Sequence, residues 1–155
     1  MIEYLFHNSF ILQLHWSGNK VSQTVLKPVS GNEKQAAGTS KEPSFLLKAL
    51  ARGYLDREPS LWLNAPLDWS SLSSFQAGIL KTLLWSVPWG RTITYSRLAA
   101  LAGHPRAARA AGTAMANNPW PLLIPCHRVV GANQRCGGFT GGMELKKILL
   151  NLEQE

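Results

Sequence analysis

TYSRLAALAGHPRAARAAGTAMANN, residues 94–118, holds two short helical patterns joined by a Gly-His-Pro turn. The first, 94–103, closes on Gly103, the residue type that most easily takes the positive φ found just past a helix end. His104 and Pro105 make the turn, and Pro105 suits the first position of the next helix, where an absent N–H costs nothing. The second pattern, 106–118, stops at Asn117, Asn118 and Pro119. Two short helices with a basic second member fit a helix-turn-helix, and a plain helical hairpin fits them as well. The second helix has almost no side chains, with Ala107, Ala108, Ala110, Ala111, Gly112 and Ala114 in close succession. Such a face admits a backbone at short range, either a neighbouring helix or DNA contacted through shape and phosphate. Arg109 projects from the alanines and is a poor residue to bury unpaired.

The rest of residues 67–155 is consistent with this start. SSFQAGILKTLLWSV (73–87) sets Phe75, Ile79, Leu83 and Val87 on one helical stripe that Pro88 and Gly90 end. Near the C-terminus Leu145, Ile148, Leu149 and Leu152 form another. Residues 1–66 read differently. FILQLHW (10–16) partly alternates, SGN (17–19) turns, and KVSQTVLK (20–27) can return as a second strand. PVSGNEKQAAGTSKEP (28–43) has the composition of an exposed connection, and SFLLKALARGYL (44–55) that of a helix capped by Ser44. REPSLWLNAPLDWSS (57–71), with two prolines, reads as the linker. The expected class is α+β: a small N-terminal mixed α/β domain over 1–66, then a mainly helical domain over 67–155.

With 155 residues, 45% of them apolar and six tryptophans, the chain can build a real core. No secretory start or bilayer-length apolar run is present, so a cytosolic protein with free thiols is expected and a membrane partner is not. The net charge of +7 is unevenly placed. Residues 1–66 carry seven Lys/Arg against five Asp/Glu, whereas 67–155 carry nine against four. From Trp69 to Met143 there is no acidic residue, while Lys81, Arg91, Arg97, Arg106, Arg109, Arg128 and Arg135 are all present. Soluble surfaces usually mix both signs. A long stretch of one sign points to a polyanion, with nucleic acid favoured.

LIPCHRVVG (123–131) sets Cys126 beside His127 and Arg128. A thiolate is the nucleophilic form of cysteine, and an adjacent base or cation makes it accessible near neutral pH. Pro121 and Pro125 stiffen the approach. A buried packing cysteine with polar neighbours fits the same residues. Cys136 and the four histidines show no recognised metal-ligand spacing, so no metal is expected. On the final helix Glu153 edges the apolar stripe, but Glu144 and Glu155 flank the opposite edge similarly.

PCHRVV, preceded by AARAAGTAMANNPWPLLI and followed by GGFTGG, closely resembles the O6-alkylguanine-DNA alkyltransferases. The likeness begins near FQAGILKTLLWSVPWGRTITY (75–95) and runs to Glu153. Before Phe75 it rests on ARGYLDREP, APLD and position. The resemblance implies a ribonuclease-H-like N-terminal domain and a winged-helix-like C-terminal domain. It implies direct-reversal repair of double-stranded DNA, in which a monomer with no cofactor transfers an alkyl group from O6-alkylguanine, and by extension O4-alkylthymine, to its own Cys126 once and irreversibly. An O6-alkyl group faces the inside of a duplex, so the nucleotide must be turned out.

Carried over by position, the resemblance makes His127 the acceptor of the thiol proton through a water and Glu153 its orienting partner. Tyr95 hydrogen-bonds the extruded base and protonates it, and Asn118 ties the recognition helix to the cysteine segment. Arg109 fills the space the base vacates. Thr94, Arg106, Ala107, Ala108, Ala110 and Gly112 meet DNA from the minor groove. Met115, Pro121, Val129, Phe139 and Thr140 form the base and alkyl pocket; Phe139 stands where the family often has tyrosine. Read without the resemblance, Tyr95 is a core or turn residue. The competing function is a non-catalytic lesion-sensing or regulatory DNA-binding module, and a cysteine hydrolase is a third class. A location in the cytoplasm, nucleoid or nucleus goes with access to DNA.

Overall fold

Phe10, Leu12 and Leu14 are fully buried along strand β2 (Phe10–Ser17), the central strand of a three-stranded antiparallel sheet. In the computed structural model, which describes residues 1–30, 44–56, 62–135, 137–139 and 141–155, β2 pairs with β1 (Ile2–Phe6) and β3 (Lys20–Pro28). Gly18, at φ +61°, opens the two-residue loop between β2 and β3, a position where a left-handed backbone favours glycine. The hairpin matches the expectation and β1 is an addition to it. IEYLF does not alternate cleanly, and its register against β2 runs from Ile2 opposite His15 to Phe6 opposite Ile11.

The carboxylate of Glu3 joins this sheet to the first helix, α1 (Phe45–Asp56). It is buried and accepts from Trp16 Nε1 at 2.6 Å, from the Ser44 amide at 2.6 Å and from the Ser44 hydroxyl at 2.7 Å. Ser44 Oγ in turn accepts from the Leu47 amide at 3.1 Å, capping the helix as its sequence suggested. Three donors on one carboxylate make its burial tolerable. Residues 31–43, most of the expected exposed connection, lie outside the described residues, as do 57–61 of the expected linker.

The remainder of that linker is firmly packed. Trp62 and Leu67 are buried, and Leu67 bridges Val21 of β3. The Val21 amide donates to Pro66 O at 2.8 Å and the Asp68 amide to Val21 O at 3.0 Å. Trp62 lies flat on Tyr54, with ring centroids 5.6 Å apart. A Cβ on Gly53 would sit 1.8 Å from the Trp62 ring, which is held by that stack and cannot swing aside cheaply. Gly53→Ala is therefore expected to lower stability by about 1–3 kcal/mol or more through overpacking. A urea-unfolding midpoint equal to wild type would refute this.

In the second half, α2 (Ser74–Ser86) starts at Ser73, whose side chain accepts from the Gln76 amide, and it buries Ile79, Leu80 and Leu83. A short strand β4 (Ile93–Thr94) leads into α3 (Tyr95–Leu101), capped by Thr94. Helix α4 (Ala108–Ala116) follows. It begins two residues later than the pattern suggested, so Pro105 and Arg106 belong to the turn and Pro105 does not occupy a first helical position. The Ala107 amide donates to His104 O across this turn, and Ala107, at φ −107° and ψ 34°, is the non-helical residue from which α4 starts. Strand β5 (Val129–Val130) pairs in parallel with β4, and α5 (Met143–Gln154) closes the chain.

One continuous hydrophobic cluster runs from Phe10, Leu12 and Leu50 through Ile79, Leu98 and Trp120 to Leu149. Strand β3 also carries the segment that leads to the cysteine. The Thr24 amide donates to Pro119 O and its hydroxyl to Pro121 O, each at 2.8 Å, while Trp120 Nε1 donates to Val21 O at 3.0 Å. The architecture is mixed α+β, as expected. Among the described residues no helix is long and apolar enough to cross a membrane.

Candidate active site

Residues 121–130 are buried without interruption, an unusual condition for a segment that is mostly irregular backbone. Its polar groups are satisfied locally. Leu122 takes φ +77°, a costly conformation for a branched residue, and the tight turn around it lets the Ile124 amide reach Trp120 O at 2.9 Å. The Cys126 amide then donates to Ile124 O at 2.8 Å. Asn118 secures the same turn, donating from Nδ2 to Ile124 O at 3.1 Å and accepting from the Trp120 amide at 3.0 Å. Cys126 opens a single 3-10 turn, Cys126–Arg128, and is 3% exposed.

Burial pushes the Cys126 thiol up to about 11, despite the opposing pull of Asn118 and Lys146. At neutral pH the group is therefore a thiol. The sequence had suggested that His127 and Arg128 would supply positive charge to it. Both instead turn to Glu153. His127 Nε2 and Glu153 Oε1 are 2.6 Å apart. Arg128 forks onto the carboxylate, with Nε to Oε2 at 2.8 Å and NH2 to Oε1 at 2.9 Å. Its third donor satisfies Val87 O at 2.8 Å, and the Gly90 amide adds a 3.3 Å contact to Glu153 Oε2. Arg128 is thus a buried structural cation and does not contribute to an exposed basic surface.

These contacts fix the protonation states. Burial alone would raise Glu153, but the hydrogen bonds of His127 and Arg128 and the charge of Arg128 outweigh it and bring it down to about 2. For His127 burial dominates the attraction of Glu153, so its pKa is lowered and the ring is neutral. The geometry agrees: Nδ1 has no hydrogen-bond partner among the described residues, and an imidazolium would leave a buried N–H there unsatisfied. The neutral tautomer donates from Nε2 to Glu153 and keeps an open lone pair on Nδ1. The arrangement is a carboxylate, an oriented imidazole with a vacant basic nitrogen, and a thiol on the adjacent residue.

A pH dependence follows from the signs. His127 is harder to protonate folded than unfolded, so stability declines as pH falls below its ordinary value of 6.5. Glu153 adds a second decline as pH drops through 4.5 toward 2. Urea-unfolding midpoints are expected to fall from pH 7 to pH 5 and again toward pH 3. A midpoint that rose on acidification would contradict both assignments.

Tyr95 is the first residue of α3. Pairing of β4 with β5 sets Thr94 opposite Val130, three residues past His127, and Tyr95 follows directly. Its ring is half-buried and lines a cavity of about 530 Å³ with Gly112, Ala116, Gly137, Gly138 and Phe139. That volume lies within the range of small-molecule sites, about 300–1,000 Å³. A Cβ at Gly137 would lie 2.6 Å from the Tyr95 hydroxyl oxygen, so glycine there keeps the tyrosine clear, whereas one at Gly112 would meet the ring at an ordinary 3.8 Å. Met115, Val129 and Pro121, expected in the pocket, are buried and lie outside this lining. Thr140 and Cys136 are outside the described residues.

Helix α4 has two faces, one packed into the core and one open. Ala111, Ala114 and Met115 are buried in the core, whereas Arg109, Ala110, Thr113 and Ala116 are exposed. Ala107, Ala108 and Gly112 are half-buried, and Arg106 is exposed in the turn. On α5 the inward face carries Leu145, Lys146, Leu149 and Glu153. Glu144 and Glu155 are exposed, which resolves the ambiguity among the three glutamates. Lys146 was not foreseen. It is fully buried, donates from Nζ to Val129 O at 2.7 Å, lies 6.0 Å from the Tyr95 ring centre and favours the ionised form of Cys126. Its spacing of three from Leu149 and seven from Glu153 was the available signal.

A family profile described as "6-O-methylguanine DNA methyltransferase, DNA binding domain" matches residues 74–155. The Homo sapiens methylated-DNA–protein-cysteine methyltransferase is 52% identical over 77 residues, half of this chain but 37% of that protein's length. The protein of the same name from Methanothermobacter thermautotrophicus is 34% identical over 152 residues, covering 96% of this chain and 82% of its own. Among solved structures, Mycobacterium tuberculosis OGT in complex with DNA superposes with a TM-score of 0.74 at 28% identity, covering 99% of this chain and 92% of that one. The Pyrococcus kodakaraensis O6-methylguanine-DNA methyltransferase shares the fold, with a TM-score of 0.77 at 24% identity over 99% of this chain and 98% of that one.

Proposed function

The chain belongs to the 6-O-methylguanine DNA methyltransferase family, and on that premise we propose that it repairs DNA by moving an alkyl group from O6-alkylguanine to Cys126. The observation that carries the reading is the buried thiol next to a neutral histidine whose Nε2 is tied to Glu153 and whose Nδ1 is open. His127 takes the thiol proton through a water. The sulfur attacks the alkyl carbon in line, the S–C bond forms, and the C–O6 bond breaks with its electron pair left on the base. Tyr95 donates a proton to the departing guanine ring and so stabilises its developing charge. The product thioether is not a leaving group for water, and one molecule of protein is consumed per lesion. No metal or cofactor enters the scheme.

The same reading gives the other parts their work. The base turns out of the duplex into the Tyr95 cavity, with Phe139 as an apolar wall. Helix α4 approaches the minor groove with Arg106, Ala107, Ala108, Arg109, Ala110 and Gly112, and Thr94 meets the backbone. Residues 67–155 act as the DNA-binding and acceptor domain of winged-helix-like type. Residues 1–66, of ribonuclease-H-like type, support it, a division favoured by the antiparallel sheet and helix of the first segment. A monomer in a cytoplasmic or nuclear compartment with access to DNA suits this work.

The test is intact mass. After incubation with a duplex oligonucleotide bearing one O6-methylguanine, the protein should gain one methyl group, on the peptide that contains Cys126. Repeated removal of lesions by protein of unchanged mass would reject the reading, as would tight lesion binding with no change in either partner. Arg109 provides a separate check because it is exposed and distant from the proton relay in sequence. Arg109→Ala should slow transfer from duplex DNA by about tenfold, equivalent to 1.4 kcal/mol, more than it slows transfer from the free alkylguanine base. Equal losses on the two substrates would remove its part in base extrusion.

A further inference from the structure

A second cleft, of about 480 Å³, adjoins the Tyr95 cavity across the start of α3. Arg91, Thr92, Thr94, Arg97 and Gln134 supply its polar lining. Both arginines are exposed, and among the described residues neither guanidinium has a hydrogen-bond or ion-pair partner. No carboxylate lines the cleft. Two unpaired guanidinium groups and two threonines around a concavity form an anion site, and guanidinium suits phosphate through its planar fork of donors.

The rim opposite is held in an uncommon conformation. Asn133 and Gln134 take φ +58° and +61° in succession. The turn is closed by the Gly131 amide on Arg135 O at 2.6 Å and by the Thr92 hydroxyl on Gln134 Oε1 at 3.2 Å. Left-handed backbone at non-glycine residues persists where surrounding contacts over-determine it, and it concentrates at ligand sites.

Position identifies the ligand. Thr94 lines this cleft and Tyr95, the next residue, lines the base cavity. Adjacent Cα atoms are about 3.8 Å apart, and a base and the phosphate that flanks it belong to one nucleotide. A strand that places a nucleotide beside Tyr95 therefore carries a flanking phosphodiester over Thr94 toward the arginines. We propose that the cleft between Arg91 and Arg97 binds a phosphodiester of the DNA strand that carries the reacting base, next to the extruded nucleotide. The inference rests on the alkyl-transfer reading and adds a strand clamp to it.

The test uses the full chain with Arg91 and Arg97 both changed to glutamine, beside Lys48→Gln on α1 as a control for simple loss of charge. Duplex affinity is measured against salt. The slope of log K against log salt should become shallower by roughly 1.8, the loss of two phosphate contacts at about 0.9 each. Lys48→Gln should leave it within about 0.3 of wild type. A neutral methylphosphonate linkage within two nucleotides of the lesion, on its own strand, should weaken wild-type binding and leave the double variant unaffected. An unchanged slope in the double variant, or sensitivity confined to the complementary strand, overturns the clamp. Methyl transfer by wild-type protein is followed in parallel. Its absence would defeat the alkyl-transfer reading, whereas an unchanged slope with transfer intact defeats the clamp alone.

Discussion

Cys126→Ala protein leaves O6-methylguanine in duplex DNA unaltered at every time and protein concentration, while its affinity for the duplex stays within a few-fold of wild type. The expectation rests on the acid–base state of the site. A thiol raised to about 11 is ionised in roughly one molecule in ten thousand at pH 7, so forming the thiolate costs roughly 5 kcal/mol. No other described side chain in the cluster combines nucleophilic sulfur with a neighbouring base. His127 Nδ1 is the group able to take the proton, and without sulfur it has nothing to activate. Serine at position 126 would fail as well, because a hydroxyl is a much weaker acid than a thiol. Binding survives because the exposed face of α4 and the free arginines do not depend on the sulfur. Alkyl loss at the wild-type rate in Cys126→Ala would place the chemistry elsewhere.

The legibility of the sequence varied with the kind of signal. Local patterns were reliable where burial has a simple period: the Phe10–Leu14 strand, the Ile79–Leu83 stripe and the Ser44 cap all form as read. The packed state of Trp62 and Leu67 was hidden because prolines imply a break, and only β3 provides the pairing that pins the segment. Cys126, His127 and Glu153 were identified by resemblance, and geometry then joined them. The charge logic was misjudged for a specific reason. Adjacency in sequence placed Arg128 beside the thiol, whereas the 3-10 turn points it at Glu153. Lys146 was overlooked because a lysine inside a helical stripe normally marks its solvent edge, and the contact of its Nζ with Val129 O forms only across the fold.

Glu153→Gln should produce the largest combined loss of stability and rate. The carboxylate receives His127, two donors of Arg128 and the Gly90 amide while almost completely buried. Removing its charge leaves a buried guanidinium uncompensated, a change that costs about 3–5 kcal/mol in comparable pairs. The urea midpoint at pH 7 should fall accordingly, and the wild-type decline between pH 4.5 and pH 2 should flatten, since the group responsible is gone. An amide can also present its NH₂ to His127 Nε2, which would move the ring proton to Nδ1 and close the lone pair that accepts from the thiol. Transfer should slow by about 10²–10⁴-fold. Arg109 and the rest of α4 are untouched, so affinity for duplex DNA measured on folded protein at low temperature should change little. Glu153→Asp keeps the charge on a shorter arm and should recover more of the stability than of the rate, because Arg128 can follow the carboxylate but the imidazole is fixed by the Cys126–Arg128 turn. If Glu153→Gln kept both its midpoint and its transfer rate, the carboxylate would be neither the counter-ion of Arg128 nor the orienting partner of His127.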